Sequence, residues 1–374
     1  MQVNREDLLS ALIAVAPGLA AREFIEQSTC YVFGGGLVQT FNDEIACTYP
    51  CGLDVSGAVS AAPLQTLLGK LGEETLEVEA VEGRLEIKAG KRKRAQIRME
   101  AEITLPLDHV EQPKKWHPLH ADFAEAVNLI HTSASKRDSN FCLTCVHIAP
   151  EWVEACDNLQ AARWPLATGV KKSTLVKRDT IRTIVQLEMN ELAETKSWLH
   201  FRNPAGLILS CRRHFDEYPP LDNLLAQRGS GQVFTLPGGL AEVLEKAEVF
   251  SGESDANNRV MVRLKPGRMM VRGEGVHGLY EESKKAAYDG PPMEFLIGPQ
   301  YLNEIAKMNN QCEIVEGRLA LDTGKFQYVT CTAPLGGVAD TGGGDASDAD
   351  APPPKAKKKK RETVPADDDG DVPF

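Results

Sequence analysis

The sequence predicts an α+β protein of three tandem domains, each an antiparallel sheet carrying two helices on one face, followed by a segment without a core. Three observations predict it: a hairpin-like stretch that occurs three times, a strand-to-helix stretch upstream of each hairpin, and a helix that opens each period. "VEAVEGRLEIKAG" (78–90) and "CEIVEGRLALDTG" (312–324) share Val-Glu-Gly-Arg-Leu within apolar-polar alternation around a glycine turn. "WLHFRNPAGLILSC" (198–211) has the same shape with a different turn.

Upstream lie "GAVSAAPLQTLLGKLG", "KSTLVKRDTIRTIVQL" and "MEFLIGPQYLNEIAKM". Leu64, Leu67, Leu68 and Leu71, then Ile181, Ile184 and Val185, then Leu302, Ile305 and Ala306 each give one apolar helical stripe. Pro63 and Pro299 fall where a first-turn proline is tolerated. The offsets from Pro63 to Arg178 and from Arg178 to Pro299 are 115 and 121 residues, close to one period.

Each period opens with a helix. In "NREDLLSALIAVA", Asn4 is a cap with Asp7 three residues on, and Leu8, Leu9, Leu12 and Ile13 share a face. "HADFAEAVNLIHTSAS" repeats this with Phe123, Val127 and Ile130, and "GGLAEVLEKAEVF" with Leu240, Val243 and Leu244. Strand-like stretches lie between the two helices of each unit: "STCYVFGGGLVQTF", "NFCLTCVHIA" and "NRVMVRLKPGRMMVRGEG". The expected domains are 1–112, 113–228 and 229–334, with a coreless, disordered tail at 335–374.

No apolar run approaches the roughly 18 residues a membrane-spanning helix needs, and the acidic start is unlike a signal peptide, so the expected location is the cytoplasm. Nine cysteines are too few for a disulfide scaffold of this length. Cys142 and Cys145 have metal or redox spacing but no second CxxC and no matched histidine pair. With Cys47 and Cys51 they read as buried thiols, and no metal or cofactor is expected.

The formal charge is −11, of which the tail contributes −3 through six basic and nine acidic residues. An acidic folded part excludes a protein that grips DNA by a large basic face, without excluding contact with DNA. No nucleotide loop, GxSxG or HExxH occurs, so no enzyme is indicated.

The triplicated unit resembles that of the bacterial beta sliding clamp, the ring-shaped processivity factor of replicative polymerases, over residues 1–334. Local stretches carry the resemblance: "PGLAAREF", "EACDNLQAARWPL", "HFDEYPPLDNLL", "VFSGESDANNRVMVRLKPGRMMV" and "KFQYVTCTAP". Asn158, Leu159 and Gln160 depart from the family's Gly-His-Arg after Asp157, and Thr330 and Cys331 replace larger apolar residues. The departures resemble those of a divergent, phage-type or otherwise specialised member.

The resemblance implies three clamp-type domains per chain and a homodimeric ring, helices lining the hole, loaded on double-stranded DNA by a clamp loader to tether a DNA polymerase. It implies DNA-facing Arg22, Lys70, Lys136, Arg137, Arg182, Lys246 and Lys307, each of which is otherwise a solvated surface charge. It implies an apolar peptide groove of Cys156, Asn158, Leu159, Gln160, Ala161, Val329, Thr330 and Cys331, residues that domain-interface packing alone also explains in part. Val249 and Phe250 are the implied dimer contacts. Lys91 to Arg94 read as a solvated hairpin edge or a partner contact.

The tail closes on "ADDDGDVPF". Asp367, Asp368, Asp369, Asp371, Val372, Pro373 and Phe374 resemble the acidic tip of bacterial single-stranded-DNA-binding proteins. That resemblance implies recruitment of host proteins that recognise such tips. Lys357 to Arg361 pair with the tip or touch DNA. Two rival readings are a DNA-binding or recombination-mediator protein acting mainly through this tail, and a protein that inhibits a host clamp.

Overall fold

The computed structural model describes residues 1–226, 229, 231–252, 258–308, 311–315 and 317–334. Within them one ten-element unit occurs three times. The first copy runs β1 (Gln2–Asn4), α1 (Arg5–Val15), β2 (Cys30–Gly34), β3 (Leu37–Phe41), β4 (Ile45–Pro50), β5 (Gly57–Ser60), α2 (Ala61–Lys70), β6 (Thr75–Val81), β7 (Arg84–Ala89) and β8 (Lys93–Glu100). The second runs β9 (His117–Pro118), α3 (Phe123–Ile130), β10 (Cys145–Ile148), β11 (Trp152–Cys156), β12 (Gln160–Pro165), β13 (Thr174–Lys177), α4 (Arg178–Arg182), β14 (Glu191–Glu194), β15 (Trp198–Arg202) and β16 (Ile208–Arg212). A linker with the short helix α5 (Asp222–Ala226) leads to β17 (Gln232–Thr235), α6 (Leu240–Glu248), β18 (Val260–Lys265), β19 (Arg268–Gly275), β20 (Gly278–Lys285), β21 (Met293–Ile297), α7 (Pro299–Met308), β22 (Gln311–Val315), β23 (Arg318–Asp322) and β24 (Gln327–Cys331).

Local chemistry fixes these elements. Asn4 Oδ1 accepts from the backbone N–H of Glu6 (2.8 Å) and Asp7 (3.1 Å), capping α1. Leu8, Ala11, Leu12 and Val15 form its buried stripe. Ile13, expected on that stripe, is 52% exposed because it lies one residue, about 100°, past Leu12. The stripes of α3 and α6 are buried as expected. Helix α4 is short and continues as a 3₁₀ turn over Thr183–Gln186, where a β-branched run weakens helix propensity. The β6–β7 turn places Glu82 and Gly83 at φ 48° and 73°, the left-handed pair a two-residue hairpin requires, and Gly317 (φ 75°) occupies the same place between β22 and β23.

One strand expectation is corrected. The first half of "NFCLTCVHIA" is a 3₁₀ turn, Phe141–Thr144, because Asn140 Oδ1 caps Cys142 N–H (3.1 Å) and Thr144 Oγ1 donates to Phe141 O (2.7 Å). The strand starts only at Cys145.

The sheets do not stop where the units do. β4 pairs with β16 and β12 pairs with β24, joining the units into sheets of twelve, eight and four described strands. Both junctions use one register. Thr48 and Arg163, each two residues before the proline that ends its strand, face Ile208 and Gln327. Ile208 and Gln327 each lie four residues before the partner of the first residue of the preceding strand, since Trp198 faces Arg212 and Arg318 faces Cys331. Helices pair within each unit, α1 with α2, α3 with α4 and α6 with α7, and their apolar faces join one contiguous buried core.

Candidate functional site

The β12–β24 junction brings the eight expected groove residues together from stretches far apart in sequence. Ala161 faces Val329 and Gln160 faces Thr330. The turn before β12 is held by Asp157, whose Oδ1 accepts from Leu159 N–H (2.7 Å) and Gln160 N–H (2.8 Å). Burial pushes the Asp157 carboxyl up, against those hydrogen bonds. Leu159 O in turn accepts from Cys331 N–H (2.8 Å) and Thr330 Oγ1 (3.0 Å).

Gln160 is buried and fully engaged. Its Nε2 donates to Thr132 O (3.1 Å) and Asp157 Oδ2 (3.1 Å), while Tyr328 donates to its Oε1 (2.7 Å). Asn158 and Leu159 are exposed, Leu159 by 40%. Cys331 is exposed, since the pleat turns it away from the face that buries Thr330, and Cys51, expected to be a buried thiol, is half-buried.

Five residues beneath this turn went unnamed in the sequence reading. Leu143, Ala320, Leu221 and Leu225 pack with Cys156, Ala161 and Val329 in one apolar cluster, and Tyr218 lies against it. Cys156 N–H donates to the Tyr218 oxygen (2.8 Å), and burial raises the Cys156 thiol to about 11. Arg163 pins α5 through Asp222 (2.6 Å), with Glu154 at 2.6 Å on its other side and the Trp152 ring 4.6 Å beneath. The signal was present in "PPLDNLL", where Leu221 and Leu225 stand four apart after a proline pair.

The basic candidates separate. Lys70, Arg182, Lys246 and Lys307 are exposed on helices, and Arg22 is exposed on the loop after α1. Lys246 pairs with Glu282 (3.5 Å) and Lys307 with Glu304 (2.7 Å). Lys136 and Arg137 are not on a helix: α3 ends at Ile130 and a 3₁₀ turn, His131–Ser133, closes it. Their loop is tied instead to the groove turn, where Asn158 Nδ2 donates to Asp138 Oδ2 (3.2 Å).

Val249 is 73% exposed at the end of α6, and the Phe250 ring lies against Gly278. Val276 (90% exposed) and Leu279 (53%) extend this apolar patch along the β19–β20 hairpin. β20 ends the four-stranded sheet. At the other end of the chain, β8 pairs with β5 only through Met99 and Glu100, leaving Lys93–Arg98 open on that side among the described strands. Lys93 and Arg94 are paired to Glu73 and Glu86. The tip residues Asp367, Asp368, Asp369, Asp371, Val372, Pro373 and Phe374, and the run Lys357 to Arg361, lie outside the described residues.

Among the described residues no group of three or more His, Cys, Asp or Glu stands close enough to hold a metal ion, and no helix is long and apolar enough to cross a membrane.

No protein-family model and no curated protein matches the sequence. Solved structures do match. The DNA polymerase sliding clamp of Pseudomonas aeruginosa superposes with a TM-score of 0.76 at 15% identity, covering 90% of this chain and 99% of that one. The sliding clamp of Bartonella birtlesii gives 0.78 at 13% identity over 90% and 99%, and the DNA polymerase III beta subunit of Thermotoga maritima 0.74 at 14% over 89% and 99%. The chain therefore has the sliding-clamp fold, a likeness of architecture with little likeness of sequence.

Proposed function

We propose that two copies of this chain close head to tail into a ring that encircles duplex DNA and acts as a processivity factor in the cytoplasm, without enzymatic activity of its own. The observation that carries the reading is the shared register of the two junctions. Each unit offers the fourth strand of its set (β4, β12) to the last strand of the next unit (β16, β24), and β20, the fourth strand of the third set, has no such partner among the described strands. Carried on to β8 of a second copy, the same register sets Ser283 against Arg94, Glu281 against Gln96 and Tyr280 against Ile97. Glu281 then lies diagonally between Arg94 and Arg98, and Val249, Phe250, Val276 and Leu279 sit beside the seam, where burial supplies most of the association energy.

A closed ring needs no tight grip on DNA, which suits an acidic chain. Exposed Arg22, Lys70, Arg182, Lys246 and Lys307 would meet phosphates loosely and without base contacts. The β12–β24 groove would receive extended peptides from a polymerase and a clamp loader, and the acidic tip 367–374 would recruit further partners.

The test is retention on nicked circular DNA after loading by a matched clamp loader, before and after the circle is cut, at moderate salt. Escape only after cutting is the expected result. Equal loss from both forms, or loss from neither, would replace this reading with a DNA-binding protein acting mainly through its tail.

A further inference from the structure

The groove has a charged rim whose chemistry narrows what it can bind. We propose that the β12–β24 groove selects peptides carrying carboxylates beside an apolar anchor, and that Lys136 and Arg137 supply the selecting charge instead of facing DNA. This rests on the groove being a partner site, as above.

Three observations carry it. The loop bearing Lys136 and Arg137 is bound to the groove turn at both ends, through Asn158 to Asp138 (3.2 Å) and Gln160 to Thr132 O (3.1 Å), so both cations stand at the rim. Both are exposed and neither enters an ion pair among the described residues. The carboxylates nearby are already engaged: Asp138 accepts from Asn140 N–H (2.8 Å) and Asn158, and Asp157 from the Leu159 and Gln160 amides and the Gln160 side chain.

An apolar strip of exposed Leu159 and half-buried Leu224 and Tyr218 lies beside this basic rim. A leucine or phenylalanine anchor fits the strip, and carboxylates fit the rim of Lys136 and Arg137.

Residues 365–374 of this chain carry that chemistry, so a synthetic fluorescein-labelled peptide, PADDDGDVPF, is the probe. Anisotropy titration with the full chain at fixed salt should give saturable binding. Lys136→Glu with Arg137→Glu should weaken it at least about tenfold, the factor of one lost charge-assisted contact. Replacing the four peptide aspartates by asparagine, or its phenylalanine by alanine, should do the same. Both substituted side chains are exposed, and an unchanged melting temperature confirms the fold.

Retention of the double variant on nicked circular DNA should equal that of the unmodified chain. Wild-type peptide binding by the double variant, no saturable binding by the unmodified chain, or loss of the variant from circles with peptide binding intact would each overturn the proposal. Should the unmodified chain fail to stay on circles yet keep the peptide selectivity, the ring reading falls and the selective groove stands.

Discussion

Val249→Asp is the sharpest perturbation of the proposed ring. An apolar side chain taken from full exposure to full burial gains about 1.5–3 kcal/mol. Val249 is 73% exposed in the single chain, so its burial at one seam is worth about 1–2 kcal/mol. A closed two-subunit ring has two identical seams, which doubles the loss to about 2–4 kcal/mol, or roughly 30- to 700-fold in the dimer dissociation constant. A carboxylate left facing Val276 or Leu279 of its own chain adds to this, so the range is a lower bound. Sedimentation velocity over a dilution series, at constant salt, reads the constant directly. A Val249→Asp chain that dimerises within twofold of the unmodified one would refute the placement of the seam and the register argument with it.

The register makes a second, more specific prediction: Glu281→Arg should weaken the dimer, and Arg94→Glu added to it should restore part of the loss, which sedimentation of the single and double variants checks. Leu225→Ala, at a side chain only 4% exposed, should cost about 2–3 kcal/mol in urea unfolding and loosen α5, seen as faster amide exchange at 222–226; unchanged exchange would mean that Arg163 alone holds the helix. His200 gives a pH signature. Burial lowers its pKa from 6.5 to about 4, so the unfolded chain takes up a proton that the folded chain refuses. Stability is full above pH 6.5 and falls between 6.5 and 4 by about 3 kcal/mol, and His200→Gln should flatten that slope in urea midpoints measured across the window.

The fold was legible because its signals are local and repeated. Val-Glu-Gly-Arg-Leu marks two hairpins whose turn glycines, Gly83 and Gly317, have left-handed φ of 73° and 75°, a need only a few residues meet. The helix faces followed from periodicity, and Ile13 was misplaced by the one-residue latitude that a 3.6 period leaves. What the sequence hid was pairing between units: nothing in "IACTYP" announces that β4 will bond to β16 more than 150 residues later, because strand partners are chosen by surfaces that exist only after each unit folds.

The groove was half legible for the same reason. Its two strands and the linker stretch "HFDEYPPLDNLL" all carried the resemblance, but Leu221 and Leu225 were not among the expected groove residues, because the five-residue helix α5 is too short for a periodic signal to mark its buried side. Lys136 and Arg137 lie on no helix, because α3 ends at Ile130 and the 3₁₀ turn at His131–Ser133 closes it.

The two internal junctions and the proposed terminal one differ in a way that matters for handling the protein. Inside the chain, β4 meets β16 and β12 meets β24 under a covalent tether, so those seams form at any dilution. The edge of β20 enjoys no such tether, and a head-to-tail contact is satisfied equally by closure of two copies or by endless addition of a third and a fourth. Only the curvature accumulated over three units decides between a ring and a fibre. A substitution that straightens either internal junction by a few degrees, far from Val249 and without touching the seam, should turn a discrete dimer into filaments whose length grows with concentration.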